Sequence, residues 1–172
     1  NGATSLEQAF EELPETPIID QSYGQSMLYS SGTTGRPKGV KKPPIEIPWG
    51  EGSAVLKAAT SRYNYDGNTV YLSPAPLYHA APLGFNMMVL RAGGTCIIME
   101  HYDSEAALSL IQQYKATHSQ WGPTMFVRML KLPEEVRHRY DLSSLRYAAH
   151  AAAPCPVAVK EQMIDWWGPV LY

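Results

Sequence analysis

"TCIIMEHYDSEAALSLIQQYKATHSQWG", residues 95–122, sets the reading of the whole chain. Its opening run, 95–99, is short, apolar and bounded by Gly94, and it reads as a buried strand. Residues 103–117 follow with Ala107, Leu108, Ile111 and Tyr114 at helical spacing, acids early and Lys115 late, which predicts a helix. Residues 118–122 read as a second strand. A helical crossover between two strands is the connection that parallel strands need.

The same alternation extends in both directions. Upstream, 69–73 reads as a strand and 84–94 as a helix closed by Gly93. A helix is also predicted over 53–63, with Ser53 available as its cap. Downstream, 123–132 is a helix with Pro123 in the first turn, and 145–149 is a strand. Residues 156–168 are a helix, and 169–172 a last strand. The fold class is therefore α/β, a mostly parallel sheet flanked by helices. Near the amino end, 27–31 reads as a strand and 41–52, with three Pro and two Gly, as a loop. Residues 1–20 are acidic and irregular, and Met87 and Met88 read as core residues.

Composition narrows the function. The chain has 172 residues, 45% apolar and 17% charged, with a net charge of -2. Those totals give no argument for nucleic acid or an anionic membrane surface. No apolar run approaches the roughly 20 residues of a membrane span. Cys96 and Cys155 form no C-x-x-C pair, and the five His lack ligand spacing, so no metal site is expected and a reduced, cytoplasmic setting fits. The chain begins at Asn1 and breaks off in the apolar run 168–172, so it is expected to be a piece of a longer protein, prone to self-association at that end.

The stretch "SSGTTGRPKGV", residues 30–40, carries the chemistry. Gly32, Gly35 and Gly39 allow successive N–H groups to face one concavity. Ser30, Ser31, Thr33 and Thr34 add hydroxyl donors, Lys38 a mobile point charge and Arg36 a forked one. Phosphate oxygens are the natural target of such a set. A Walker-type loop is excluded, because Lys38 is followed by Gly39 and Val40 with no Ser or Thr for magnesium.

"MLYSSGTTGRPKGV", residues 27–40, resembles the phosphate-loop signature of the adenylate-forming (AMP-binding) superfamily. That group includes acyl-CoA synthetases, aryl-CoA ligases, luciferases and peptide-synthetase adenylation domains. The resemblance continues in order through 76–79, 121–130, 142–156 and 168–172, and looks most like a fatty acyl-CoA synthetase. It implies that the chain is part of a large N-terminal domain, the C-terminal domain being absent. It further implies ATP, Mg2+ and coenzyme A, and a small-molecule carboxylic acid activated first to acyl-adenylate and then to acyl-CoA. By the same resemblance Thr33, Thr34 and Lys38 hold the β and γ phosphates, while Ser30, Ser31, Gly32 and Gly35 shape the loop. His79 would sit beside the acyl carboxylate and α-phosphate. On the residues alone it reads equally well as a buried, hydrogen-bonded histidine at a strand end. Ala152, Ala153 and Pro154 would pack against adenine. Trp121, Gly122, Pro123 and Thr124 would line the acyl pocket, although Trp121 by itself reads as core.

Three departures stand out. Ala80, Ala81 and Pro82 follow His79 where the family often has Gly. Ala152 replaces a usual Gly. The Pro-rich run after the loop has no counterpart. The family's later adenine-stacking aromatic, magnesium-binding acid and adenylation lysine are not in this sequence, so the chain alone is expected to be inactive. An aryl-CoA ligase and a non-catalytic anion-binding module remain the alternatives.

Overall fold

The computed structural model describes residues 5–11, 13–21, 27–29, 35–43, 54–151 and 153–172. The chain divides into two units, Asn1–Ala54 and Val55–Tyr172.

In the first unit the described elements are short and exposed. Helix α1, Leu6–Phe10, is capped by Ser5, whose hydroxyl accepts from the Gln8 amide at 3.1 Å. The irregular reading of 1–20 missed it. Strands β1, Leu28–Tyr29, and β2, Gly39–Val40, pair antiparallel with Leu28 opposite Val40 and Tyr29 opposite Gly39. This hairpin stem holds both ends of the glycine-rich loop. Gly39 lies close under Tyr29: a Cβ there would come within 3.1 Å of the ring, which would have to shift slightly.

The second unit opens with α2, Ala54–Arg62. Ser53, its expected cap, lies outside the described residues, as does most of the 41–52 loop. Strand β3, Val70–Ser73, helix α3, Ala80–Arg91, and strand β4, Thr95–Ile98, come next. Helix α4, Ser104–Tyr114, strand β5, His118–Trp121, and helix α5, Pro123–Leu130, follow. A four-residue helix α6, Glu134–Arg137, precedes strand β6, Tyr147–His150, and helix α7, Val157–Trp167. The four strands form one parallel sheet in the order β4-β3-β5-β6. The α/β class and the parallel sheet are as the sequence predicts.

Local chemistry explains the boundaries. Asp103 caps α4 by accepting from the Ala106 amide at 2.8 Å, and Lys115 ends it in the left-handed conformation at φ 53°. Gly93 turns α3 toward β4 at φ +80°, a conformation glycine adopts without strain. Pro123 occupies the first position of α5, where no amide donor is needed.

Four expectations are corrected. Strand β4 is the sheet edge rather than a buried strand: Ile98 is 53% exposed and Thr95 is exposed, because β4 is paired on one side only, by β3. Helix α3 starts at Ala80, four residues early, since Pro82 fits a first turn as readily as a loop. Tyr114 and Met87 are exposed, the helices being rotated to bury Ile111 and Val89 instead. Residues 169–172 make a single parallel bridge, Ala148 to Leu171, supported by the Ala148 amide donating to the Val170 carbonyl at 2.7 Å.

The sheet buries two unlike layers. On one face Leu72, Ala107, Ile111, Trp121, Phe126, Met129, Ala148 and Met163 form the larger core. Full burial of a large apolar side chain such as these stabilises by about 1.5–3 kcal/mol. The opposite face carries Tyr65, Tyr71 and Val89, with Tyr63, Phe85, Met88 and Cys96 packed against them. Pleating sends alternate residues to opposite faces, so Tyr71, Ser73, His118 and Gln120 share the tyrosine face while Leu72, Ser119 and Trp121 share the other.

Candidate functional site

Because all four strands run the same way, their carboxyl ends share one edge of the sheet. The chain leaves β3 toward β4 on one side and returns past β3 to reach β5 on the other. The crevice outside the ends of β3 and β5 is thus a topological switch point, the place where open parallel sheets take ligands. The helices that follow β3, β5 and β6 begin at this edge. None has a side-chain cap: α3 starts after His79, α5 after Gly122 and α7 after Pro156, without a cap bond in each case. Helix α4, which leaves the edge strand, is capped by Asp103. Uncapped helix amino ends leave N–H donors and positive partial charge for an anion.

His79 stands at this edge. The reading of a buried histidine at a strand end is corrected: it is exposed, six residues beyond β3, and serves as the extended residue before α3. Its ring lies 4.4 Å from that of Tyr78. Gly122 is half-buried and Thr124 exposed in the first turn of α5. Pro123 between them is buried. Trp121 is fully buried, its indole N–H donating to Ser119 Oγ at 2.6 Å and its rings packed on Phe126 and Trp167. Its side chain therefore belongs to the core, pointing away from the face that holds Gln120.

The end of β6 is tied to β5 by the Ala151 amide donating to the Trp121 carbonyl at 3.0 Å. Ala153 and Pro154 follow, exposed, before α7. Ala152 lies outside the described residues. His150, at the last position of β6, is held below the ordinary histidine pKa by burial first and then by Lys160. Its Nδ1 is buried with no hydrogen-bond partner among the described residues.

In the first unit Ser30, Ser31, Gly32, Thr33 and Thr34 lie outside the described residues. Gly35 and Lys38 are exposed. A Cβ on Gly35 would meet nothing within 4 Å, and its φ is not in the left-handed region, so local packing does not demand glycine there. Lys38 immediately precedes β2. Among the described residues no three His, Cys, Asp or Glu side chains converge on a point a metal could occupy.

Sequence reading missed a buried polar layer on the tyrosine face. Ser73, Asn86 and Gln120 are 1%, 4% and 4% exposed. The signal was present in "HSQW", a strand of mostly polar residues that the structure buries entirely, and in Asn86 within an apolar helix. His118 in the same layer is satisfied from both sides: Nδ1 lies 2.7 Å from Thr117 Oγ1 and Nε2 2.8 Å from the Tyr63 carbonyl. Burial lowers its pKa, and it reads as structural.

A family model described as "AMP-binding enzyme" matches residues 3–172. A 4-coumarate–CoA ligase of Petroselinum crispum is 35% identical over 150 residues, covering 87% of this chain and 27% of its own length. A medium-chain acyl-CoA ligase of Danio rerio, described as mitochondrial, is 29% identical over 169 residues, 97% of this chain and 27% of its own. The inhibitor-bound N-terminal domain of FACL13 from Mycobacterium tuberculosis superposes with a TM-score of 0.68 at 26% identity, covering 87% of this chain and 36% of that one. The chain therefore spans about a quarter of the length of the curated relatives it matches.

Proposed function

The chain belongs to the AMP-binding enzyme family, and from that premise we propose that its parent protein joins a carboxylic acid, a fatty acid in the first instance, to coenzyme A at the expense of ATP. A carboxylate oxygen forms a bond to the α-phosphorus while the bond from that phosphorus to the pyrophosphate oxygen breaks. The thiol of coenzyme A then attacks the acyl carbon, AMP leaves and the thiol proton passes to solvent.

The observation that carries this reading is the anion-ready edge. Three uncapped helix amino ends at the carboxyl edge of one parallel sheet suit a carboxylate and a phosphate together. His79, at one of them, is proposed to hold the acyl carboxylate by hydrogen bonding, not to move a proton. Gly122 and Thr124, at the second, are proposed to border the acyl group, with buried Trp121 supporting them from behind. Ala152, Ala153 and Pro154 are proposed to lie against adenine, small side chains leaving room for a flat base. In the first unit Thr33, Thr34 and Lys38 are proposed to bind the outgoing phosphates, where charge accumulates as pyrophosphate departs. Ser30, Ser31, Gly32 and Gly35 shape that loop, and magnesium is expected to accompany ATP.

An aromatic acid is the second substrate reading, supported by the likeness to a 4-coumarate–CoA ligase. The chain is proposed to be part of the larger domain of its parent and inactive alone. A cytoplasmic setting is proposed from the two free cysteines. Self-association of the chain is tested by sedimentation, where a monomer at every concentration refutes it.

The test of function is ATP–pyrophosphate exchange by the parent protein over a panel of fatty and aromatic acids. Exchange that depends on the acid is expected, and Lys38→Ala should reduce it roughly 10- to 150-fold, the range for a lost hydrogen bond to a charged group. Exchange with no acid, or unchanged in Lys38→Ala, overturns the reading.

A further inference from the structure

On the tyrosine face, immediately inside the ligand edge, two buried acceptors have no donor among the described residues. Asn86 Nδ2 donates to the Pro82 carbonyl at 2.8 Å and to Ser73 Oγ at 2.8 Å, which uses both of its hydrogens. Asn86 Oδ1 is buried and has no partner among the described residues. Gln120 Nε2 donates to the Trp121 carbonyl at 3.4 Å, and Gln120 Oε1 is likewise buried and unpartnered. In both amides a carbonyl partner fixes which atom is nitrogen, so exchanging the two ends would not repair the oxygens.

Geometry puts these groups together. Leu72 pairs with Ser119, and continuing the register by one residue brings Ser73 opposite Gln120. Gln120 pairs with Ala149 on the far side. Ser73, Gln120 and Ala149 thus form a floor on one face at the carboxyl ends of three strands, and Asn86, bonded to Ser73, closes it from α3. Ala149 contributes only a methyl group to that floor. Buried amide oxygens left without donors are costly, and native structures ordinarily satisfy them. Among the described residues, what this layer lacks is a donor.

We propose that the layer between α3 and the ends of β3 and β5 receives the body of the carboxylic acid, and that it selects acids bearing a hydroxyl or amino group remote from the carboxylate. A hydroxyl donates its one hydrogen to Gln120 Oε1, and an amino group has a further hydrogen for Asn86 Oδ1. The proposal rests on the acid-activation reading above and adds the substrate's chemical class. An acid without the donor leaves both oxygens unpaired, which is the arrangement that discriminates most strongly between substrates differing by one hydroxyl.

The test uses matched acids: ω-hydroxydecanoate against decanoate, and para-hydroxyphenylacetate against phenylacetate. Binding to the chain is measured by calorimetry, with the Ala149 methyl resonance as a local reporter, and exchange is measured on the parent protein. At least one hydroxylated acid should bind on the order of 10- to 100-fold tighter than its partner. It should also shift the Ala149 methyl signal. Gln120→Met, which keeps the volume and removes the oxygen, should abolish the preference, weakening the hydroxylated acid and tightening the unsubstituted one, whose unpaired oxygen it removes. The methyl shift needs no variant and stands if Gln120→Met fails to fold. Equal binding within both pairs, or a preference with no Ala149 shift, overturns the inference, and acid-dependent exchange would then leave the activation reading intact. Preferential binding without exchange by the parent refutes activation alone. No binding of any acid, with no exchange, refutes both.

Discussion

Gly94→Ala is the substitution whose outcome follows most directly from the packing at the end of α3. An added Cβ would lie 2.8 Å from the Thr69 carbonyl oxygen, 2.8 Å from Val89 Cγ1 and 3.1 Å from Thr69 Cβ. The oxygen is backbone, and it already accepts from the Thr95 amide at 2.8 Å, the bond that leads into the β3–β4 ladder. It cannot retreat without disturbing that bond, and Val89 is fully buried. Overpacking of this kind costs about 1–3 kcal/mol, and weakening one backbone hydrogen bond adds roughly 0.5–1.5 kcal/mol, so a loss of about 2–4 kcal/mol is expected. At about 2–4 °C per kcal/mol for a chain of this size, the melting temperature should fall by roughly 4–16 °C. The control is Gly84→Ala in the interior of α3, where an added Cβ meets nothing within 4 Å. It should stabilise by about 0.5–1 kcal/mol through helix preference. Urea melts followed by circular dichroism measure both. A Gly94→Ala protein within about 0.5 kcal/mol of the wild type, the noise level of neutral surface changes, would refute the close approach of α3 to β3 argued here.

Three further outcomes are expected. Trp121→Phe removes the donor to Ser119 Oγ, 2% exposed, and should cost about 1–3 kcal/mol in the same melts; no loss would show that water satisfies Ser119. His79→Ala should leave stability within about 0.5 kcal/mol, since the side chain is exposed and caps nothing, while acid-dependent exchange by the parent slows; a lowered melting temperature with full exchange would return His79 to a structural role. For pH, His118 and His150 both have folded pKa values below the ordinary 6.5, so the unfolded chain takes up protons first. Their contribution to stability is complete above 6.5 and is lost as pH falls below it, while the lowered carboxylates Asp66 and Asp141 act only under their ordinary 3.8. Stability that stays flat between about pH 7.5 and 5.5 would contradict this.

The parallel sheet was legible because its signals are local. Residues 103–117 carry cap, periodicity and stop, and β3 and β5 fall within a residue of their predicted limits. What was not legible depends on neighbours. An apolar run such as 95–99 reads identically in the centre of a sheet and at its edge, because strand order is not written in the strand itself. The start of α3 was missed because Pro82 is a loop signal and a first-turn residue alike. His79 was recognisable by its surroundings in the sequence, but its exposure follows from where β3 stops. Gln120 and Asn86 drew no notice because polar residues in a strand or helix read as solvent-facing until a second layer covers them. For Ser30 to Thr34 the sequence pattern and family likeness remain the basis of the reading.

The two faces of the sheet also differ in how they absorb and emit light. Trp121, Trp166 and Trp167 lie in the larger core layer, within a few side chains of one another. Tyr63, Tyr65, Tyr71, Tyr147 and Tyr172 lie with His118 on the opposite layer, joined by ring contacts, while Tyr102 sits on the tryptophan side. With Trp49 replaced by Phe, emission excited at the red edge reports the α4–α5–α7 layer alone, and the tyrosine bands of near-ultraviolet circular dichroism report chiefly the layer that holds Gln120. A ligand entering the α3 side would then change the tyrosine signal and leave the indole emission largely as it was, so one sample reads the two layers independently.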